Sequence, residues 1–432
     1  MIFFSIYRKL FIFLLDFFGI SKYIFSMSVI RSAYFDKIIP FINTPVIKVI
    51  TGIRRCGKSV MLSQIRDYIL QHDVNENQIL FLNFDSLTDE RVRTFESVTQ
   101  AVKDLQKNLL QNQKIYLFFD EIQELPGWEK LINSYLIDFN CDIYITGSNA
   151  KLFSGELATY LASRYVEIKM FPFSFAESFE ALRSLKGEIS KEKVFEFYLD
   201  TGGFSFLYNF DFSSAQQKQY LEDIFNSIIL KDISARHKIR DISLLKSLIV
   251  FFVSNVANTF SSSSLIKYLK NEKRSLSTET VYNYLEYCQE ACLLHLVKRE
   301  NLEGKELLST QEKIFIADHG LRQILFMKNQ KDINQILKNI VYLELLRRGC
   351  TVTVGKSKNE EIDFCAKNEK GTQYFQVCYL FSAEETVERE FDAFKNINDN
   401  FPKFVLSLDN FDFSRDGIIH KNLIDWLLEE GC

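Results

Sequence analysis

Gly52 and Gly57 stand five positions apart and are followed at once by Lys58 and Ser59, in a chain that holds only 16 glycines among 432 residues. That spacing belongs to a loop that wraps a phosphate chain, and such a loop works only between a buried strand and the start of a helix. The backbone N–H groups must turn inward, which requires glycine where a Cβ would clash or where φ must be positive. The helix that follows adds the positive end of its dipole. The flanks agree. "PVIKVIT" before the loop is a short apolar run suited to a buried parallel strand, and Met61, Leu62, Ile65 and Ile69 after it recur at helical spacing. The nucleotide-binding stretch is therefore expected to comprise Gly52, Ile53, Arg54, Arg55, Cys56, Gly57, Lys58, Ser59 and Val60. Lys58 reaches the β- and γ-phosphates as a point charge, and the Ser59 hydroxyl completes the shell of a Mg²⁺ that binds through phosphates and few protein ligands. Arg54, Arg55 and Cys56 are expected to be solvated loop side chains, since the variable positions of such a loop are permissive.

A loop of this kind needs a second strand that ends in an acid, and "KIYLFFDEIQ" supplies one. Residues 115–119 are apolar throughout, as in a central parallel strand buried on both faces. Asp120 then falls at the carboxyl edge, where open α/β sheets bind their ligands. Asp120 is the candidate Mg²⁺-side carboxylate and Glu121 the candidate general base for water. "QILFLNFD" and "CDIYITGSNA" read as two further strands of the same sheet. The second brings Ser148 and Asn149 to the edge of Asp120, as partners of the γ-phosphate or the attacking water, or else as ordinary turn residues. Arg164, ahead of the short strand "YVEIKM", is either an arginine that touches the γ-phosphate, in cis or from a neighbouring subunit, or a surface ion pair.

Composition sets the frame around this site. A chain of this length exceeds what one core usually organises, so two or three domains are expected. Apolar residues at 47% against 25% charged describe a folded chain, and a net charge of −4 gives no global pull toward nucleic acid. Eight cysteines without a CxxC pair fit a reducing cytoplasm. The opening "MIFFSIYRKLFIFLLDFFGISKYIFS" is interrupted by Arg8, Lys9, Asp16 and Lys22, leaving no apolar run near the ~20 residues a spanning helix needs. Residues 1–27 are set apart as an N-terminal extension, with Met27 as the candidate start and the residues before it upstream of it; an interfacial amphipathic helix is the alternative, and no stable membrane insertion is expected.

"TGIRRCGKS", "LFFDEIQ", "YITGSNA", "LASRYVEIKMFPFSFAE", "YLDTGGF", "KIFIADHGL" and "EIDFCAKNEKGTQYFQVCYL", in this order, resemble a family of prokaryotic AAA+-superfamily ATPases whose C-terminal part is a domain of unknown function related to restriction-endonuclease-like folds. The likeness runs from about Ser28 to the end. It implies an α/β P-loop NTPase domain over 28–205, with a parallel sheet and helices on both faces. A helical, winged-helix-like region over 206–310 and a nuclease-like α/β domain over 311–432 would follow. It also implies ATP and Mg²⁺ as cofactors and places Walker A on Gly52, Gly57, Lys58 and Ser59, Walker B on Asp120 and Glu121, the sensor on Ser148 or Asn149, and the arginine on Arg164. Two positions depart from the family's pattern, with Ser163 where a glycine is common and Ser205 where a proline is common.

Beyond the loop domain, "LLKSLIVFFVSNVA", the serine-led "SSSSLIKYLK" and a helix after Ser277 carrying Val281, Leu285, Cys288 and Cys292 on one face read as three helices, followed by a strand, a turn and a strand. Lys267, Lys270, Lys273 and Arg274 lie where a winged helix meets phosphates, but Glu272, Glu279 and Glu286 dilute that face. Such a region reads a partner protein as readily as DNA. In the last third, Asp363 is strand-borne as in metal-dependent nucleases, yet Gln376-Val377-Cys378 stands where Glu-X-Lys would be and Lys338 where a helical Glu would be. Glu344 reads as a solvated helix residue and Glu360 and Glu361 as a loop pair. The domain is therefore expected to bind rather than cut. The combined expectation is a Mg²⁺-dependent ATPase whose hydrolysis switches DNA- or protein-binding domains, with a second copy of the chain as a further candidate partner in a homo-oligomer. The alternatives are a non-hydrolysing nucleotide-gated binding module and a P-loop kinase.

Overall fold

The computed structural model describes residues 29–110, 113–149, 164–271, 276–304, 306–326, 332–358 and 360–429. The expected N-terminal extension, Lys273, Arg274 and the stretch just before Arg164 lie outside the described residues. Five parallel strands form the first sheet: β1 (Ile47–Gly52), β2 (Ile79–Asn83), β3 (Ile115–Asp120), β4 (Cys141–Gly147) and β5 (Tyr165–Met170). Their order is β2-β3-β4-β1-β5, so β4 separates the loop strand from the acid strand. Side chains alternate between two cores. Ile50, Tyr116, Phe118, Tyr144 and Ile168 face one, and Val49, Leu117, Phe119, Ile143 and Ile145 face the other. Burial on both faces is what the unbroken apolar runs encode, and it leaves only the strand ends open to a ligand. Thr51 pairs with Gly147 and Phe119 with Ile145, which brings the carboxyl ends of β1, β4 and β3 together.

A helical region follows. Helices Phe175–Lys186, Lys191–Thr201 and Ser214–Ser227 open on Ser174, Ser190 and Ser213, whose hydroxyls accept from backbone N–H groups of the first turn. Ser214–Ser227 runs straight into a π-helix, Ile228–Ala235, with wider i→i+5 turns. Next come helices Ile242–Ser254, Ser262–Asn271 and Thr278–Glu290, in the expected places. Ser277 caps the last of these, and Val281, Leu285 and Cys288 are buried along it; Cys292 is buried too but lies past the helix end with φ 54°.

The hairpin of β6 (Leu294–Asn301) and β7 (Glu306–Ile316) belongs to a second sheet. β6 pairs in parallel with β8 (Thr351–Ser357). The sheet continues through β9 (Glu360–Asn368), β10 (Gly371–Val377), β11 (Lys403–Ser407) and β12 (Ile418–Asn422), in the order β12-β11-β10-β9-β8-β6-β7. A boundary between 310 and 311 would therefore fall inside β7. That strand also touches the helical region, where Val256 and Thr259 bridge to Ile314 and Lys313. One buried cluster runs from Tyr34 and Ile50 through Phe252 and Leu285 to Phe375 and Trp426.

Two of the quoted motifs lock together at this junction. The Asp318 carboxylate accepts from Gly203 N at 2.7 Å and Gly320 N at 2.8 Å. A Cβ on Gly203 would stand 2.2 Å from the carbonyl oxygen of Phe173, and one on Gly202 1.9 Å from Asp318. The glycines of "TGGF" are thus demanded by close approach of neighbouring chain. Arg347, near the end of helix Ile333–Arg347, donates to the Pro172 carbonyl at 2.9 Å and fastens the second sheet's helix to the segment after β5.

Candidate nucleotide site

The loop between β1 and helix Lys58–Leu70 is shaped from both ends. A Cβ on Gly52 would meet the Met170 carbonyl oxygen at 2.3 Å, so β5 enforces glycine there. Gly57 has open space around it but φ 101°, which favours glycine on conformational grounds alone. Arg31 braces the loop from behind. Its buried guanidinium donates to the Cys56 carbonyl at 3.1 Å and pairs with Glu177 at 2.7 Å.

Lys58 is 3% exposed, and its ammonium donates to the Gly52 carbonyl at 3.1 Å and lies 3.4 Å from Glu121 Oε1. Burial is the largest influence and opposes that charge, but Glu121, Cys56, Cys292 and Asp120 together outweigh it and raise the lysine pKa. Glu121 follows β3 in the left-handed region, φ 53°. Burial pushes its carboxyl up, while Lys58, the Gln123 amide and Arg54 pull harder and hold it below the usual range. The candidate base is thus ionised and oriented by three groups. Asp120 is 1% exposed, and its pKa is raised by burial, against hydrogen bonds from Thr146 and Ser59. Thr146 Oγ1 donates to Asp120 at 2.5 Å and accepts from Glu121 N at 2.9 Å, fixing both acids from β4.

These groups fit a magnesium nucleotide. A buried carboxylate with a raised pKa lacks compensating positive charge, and its hydrogen bond to Ser59 already joins two hard oxygen donors of the kind Mg²⁺ takes. Lys58, Ser59 and the backbone of residues 52–60 would hold the phosphates, with Asp120 and Ser59 on the metal side. The ion would supply charge neutralisation of the phosphates.

The candidate residues scatter in an informative way. Gly52, Gly57, Lys58, Ser59, Asp120 and Glu121 converge, with Ile53 buried under the loop and Val60 half-buried in the first helical turn. Ser148 is fully buried and receives a 3.5 Å contact from Gln123, the amide that also binds Glu121; Asn149 is buried next to it. The expectation of solvated side chains holds for Arg55 alone. Cys56 is 1% exposed, because the loop folds its thiol against Gly52. Arg54 makes a bidentate pair with Asp232 of the π-helix, at 2.9 and 2.8 Å. Arg164 is exposed and sits at the amino end of β5, where its carbonyl accepts from Ile47 N. With β1 and β5 parallel, that is roughly 20 Å along the sheet from Gly52. Thr146, Gln123 and Asp232 were not among the candidates. Thr146 was visible at the end of its strand, whereas Asp232 stands 178 residues from Arg54 with no local mark.

A parallel sheet in this order, carrying a lysine-serine phosphate loop and a strand-end acid pair, defines a P-loop ATPase-type domain, and residues 44–179 match the family described as an AAA domain. Residues 192–332 match a domain of unknown function, which takes in the helical region after its first helix and the β6–β7 hairpin. An uncharacterized protein of Haemophilus influenzae is 38% identical over 400 residues, spanning 92% of this chain and 98% of that one. The uncharacterized protein MJ1544 of Methanocaldococcus jannaschii is 32% identical over 382 residues, 84% of this chain and 80% of that one. The chain belongs to the family of AAA-domain proteins that these two relatives represent. Among solved structures, the Walker-type ATPase PABY2304 of Pyrococcus abyssi aligns over 68% of this chain and 95% of its own, with 17% identity and a TM-score of 0.46. Among the described residues no helix is long and apolar enough to cross a membrane.

Proposed function

We propose that the protein is a Mg²⁺-dependent ATPase whose nucleotide state is passed to its helical region and second sheet. The observation that carries this is the meeting of Lys58, Ser59, Asp120 and Glu121 at one strand edge, 3.4 Å separating the lysine from the candidate base. Glu121 beside Asp120 favours attack by water over transfer to an acceptor, since a kinase needs its base on the acceptor hydroxyl. Lys58→Ala should abolish ATP binding, and Glu121→Gln should retain it while slowing turnover on the order of 10²- to 10⁴-fold, the usual worth of a positioned base. Equal ATP affinity in wild type and Lys58→Ala sinks the proposal.

For the helical region we favour a protein partner over DNA. The exposed face of helix Thr278–Glu290 shows Glu279, Tyr282, Asn283 and Glu286, two acids and no base, which repels a phosphate backbone. Lys267 and Lys270 are exposed on the preceding helix. The second sheet is proposed to be nuclease-like in descent and a binding surface in use, in a cytoplasmic protein. Because Arg164 lies at the amino end of β5, any action on a nucleotide is proposed to be on that of a second copy; mixing Arg164→Ala with Lys58→Ala protein should then partly restore hydrolysis, and no rescue leaves it a surface residue.

A further inference from the structure

The Arg54 side chain is an anomaly at a variable position of a phosphate loop. Its Nε and Nη2 are both taken by Asp232, a carboxylate 2% exposed that also accepts from Ser148 Oγ at 3.4 Å. Bidentate gripping of one edge fixes the plane of a guanidinium and leaves its remaining donors aimed one way. The remaining nitrogen, Nη1, lies 3.9 Å from Asp85, which is half exposed at the end of β2. Ser148, which donates to Asp232, also receives the Gln123 amide that binds Glu121, so the carboxylate holding Arg54 and the candidate base share one chain of contacts. Arg54 therefore stands on the side of the loop where the attacking water and the terminal phosphate must meet.

We propose that Arg54 is the phosphate loop's own arginine for the terminal phosphate of ATP, and that Asp232 is its positioning residue and the link to the helical region. This rests on the ATPase reading above and adds to it a cis-acting cation. The physical case is direct. Transferring a phosphoryl group spreads negative charge over three equatorial oxygens, and an arginine in cis stabilises it without waiting for a partner. A lysine in the loop is a point charge, whereas a guanidinium held by a carboxylate on one edge presents a flat pair of donors on the other. Asp232 sits in the π-helix among buried Ile228, Ile229 and Ile233, so a pull on Arg54 by the phosphate is felt in the packed helical region. π-Turns inside helices are found frequently at functional sites.

The test separates this role from a structural one. ATP and ADP affinities of the full chain are measured with fluorescent nucleotide analogues, beside hydrolysis and thermal midpoints, for wild type, Arg54→Ala, Arg54→Lys, Asp232→Asn and the exchanged pair Arg54→Asp with Asp232→Arg. Arg54→Ala should lose the preference for ATP over ADP and lower kcat on the order of 10³-fold, as removal of such an arginine does. Asp232→Asn should keep ATP affinity within about threefold yet lower kcat about tenfold or more, because it loosens an orientation and removes no phosphate contact. Arg54→Lys should fold and still hydrolyse poorly. The exchanged pair should regain the thermal midpoint lost in the single variants without regaining hydrolysis or the ATP preference. Recovery of hydrolysis by the exchanged pair, or an unchanged ATP-to-ADP ratio in Arg54→Ala, overturns the proposal and leaves the ATPase reading standing. Failure of wild type to bind ATP overturns both, and the Lys58→Ala comparison tells the two failures apart.

Discussion

A histidine buried beside the interlocked glycines shows how single residues set the protein's response to acid. His319 Nε2 meets the Tyr198 carbonyl at 2.6 Å, and its Nδ1 is buried with no hydrogen-bond partner. Burial lowers its pKa from 6.5 to about 4, so the folded state resists the second proton that the unfolded chain accepts. A depressed pKa contributes stability that is complete above 6.5 and is lost as pH falls toward 4. The shift corresponds to on the order of 3 kcal/mol at 1.36 kcal/mol per unit. Asp318 next to it has the opposite sign. Its pKa is raised by burial to about 7, so it takes up a proton in the folded state and gains stability as pH falls below that value. The two slopes oppose each other in wild type. Thermal midpoints of wild type and His319→Gln, followed from pH 7.5 to 4, should therefore differ in slope: the variant lacks the acid loss and gains relative to wild type as pH falls. Parallel curves would show that His319 titrates normally. The residue scale is also where the sequence spoke most unevenly. Gly52, Lys58, Ser59 and Asp120 were legible because their spacing is local chemistry, whereas Arg54 looked like a solvated loop side chain because its partner lies in another region of the fold.

At the scale of elements, strands were legible where apolar runs are unbroken and the surroundings of Asp363 only in part. Asp363 on β9 is 3% exposed, and its Oδ1 receives Lys338 Nζ at 2.5 Å while Oδ2 accepts from Val377 N at 3.0 Å. Lys338 thus occupies an oxygen that a metal would need. The expected loop pair is not one: Glu361 lies on β9, paired with Arg299 and Lys313. Glu344 is buried rather than solvated, held by Arg348 at 2.8 Å. Sequence distance hid another acid. Glu390, on helix Glu384–Asp392, is buried and takes the Gln376 amide at 3.2 Å, while Gln376 Oε1 accepts from Asp363 N at 2.7 Å. Asp363 is therefore not the sole carboxylate near this strand pair. The Gln376 amide nonetheless stands between the two acids, and Lys338 neutralises one of them, so a hard cation finds too little free anionic oxygen. Incubation with Mg²⁺ or Mn²⁺ and single-stranded, duplex or branched DNA should yield no cleavage. Cutting that vanishes in Asp363→Ala would show that the ammonium leaves when metal arrives.

Across the whole molecule, the contacts argue for one cooperative body. The resemblance implied three successive domains and the helical pattern of the middle region agreed with it, but periodicity reports local structure only. It could not report that β6 and β7 join β8 or that Arg347 reaches the Pro172 carbonyl, since pairing between distant strands leaves no mark in either one. The shared cluster includes Ile168 of the first sheet, Leu248 of the helical region and Val377 of the second sheet, all 4% exposed or less. A separable domain would need its own core, and removing any third of this chain would strip apolar surface from the other two. Heating should then give a single transition, with calorimetric and van't Hoff enthalpies in agreement and far-ultraviolet and tyrosine signals superimposable. A chain ended after residue 310 would lose Ile314, which pairs with Leu296 and bridges to Val256, and would expose the buried side of β6. It should be recovered as aggregate, while the full chain stays monodisperse. Two resolved transitions, or a soluble fragment 28–310 that binds ATP as well as the full chain does, would show instead that the loop domain stands alone and that the interlocked glycines and Arg347 only rest against it.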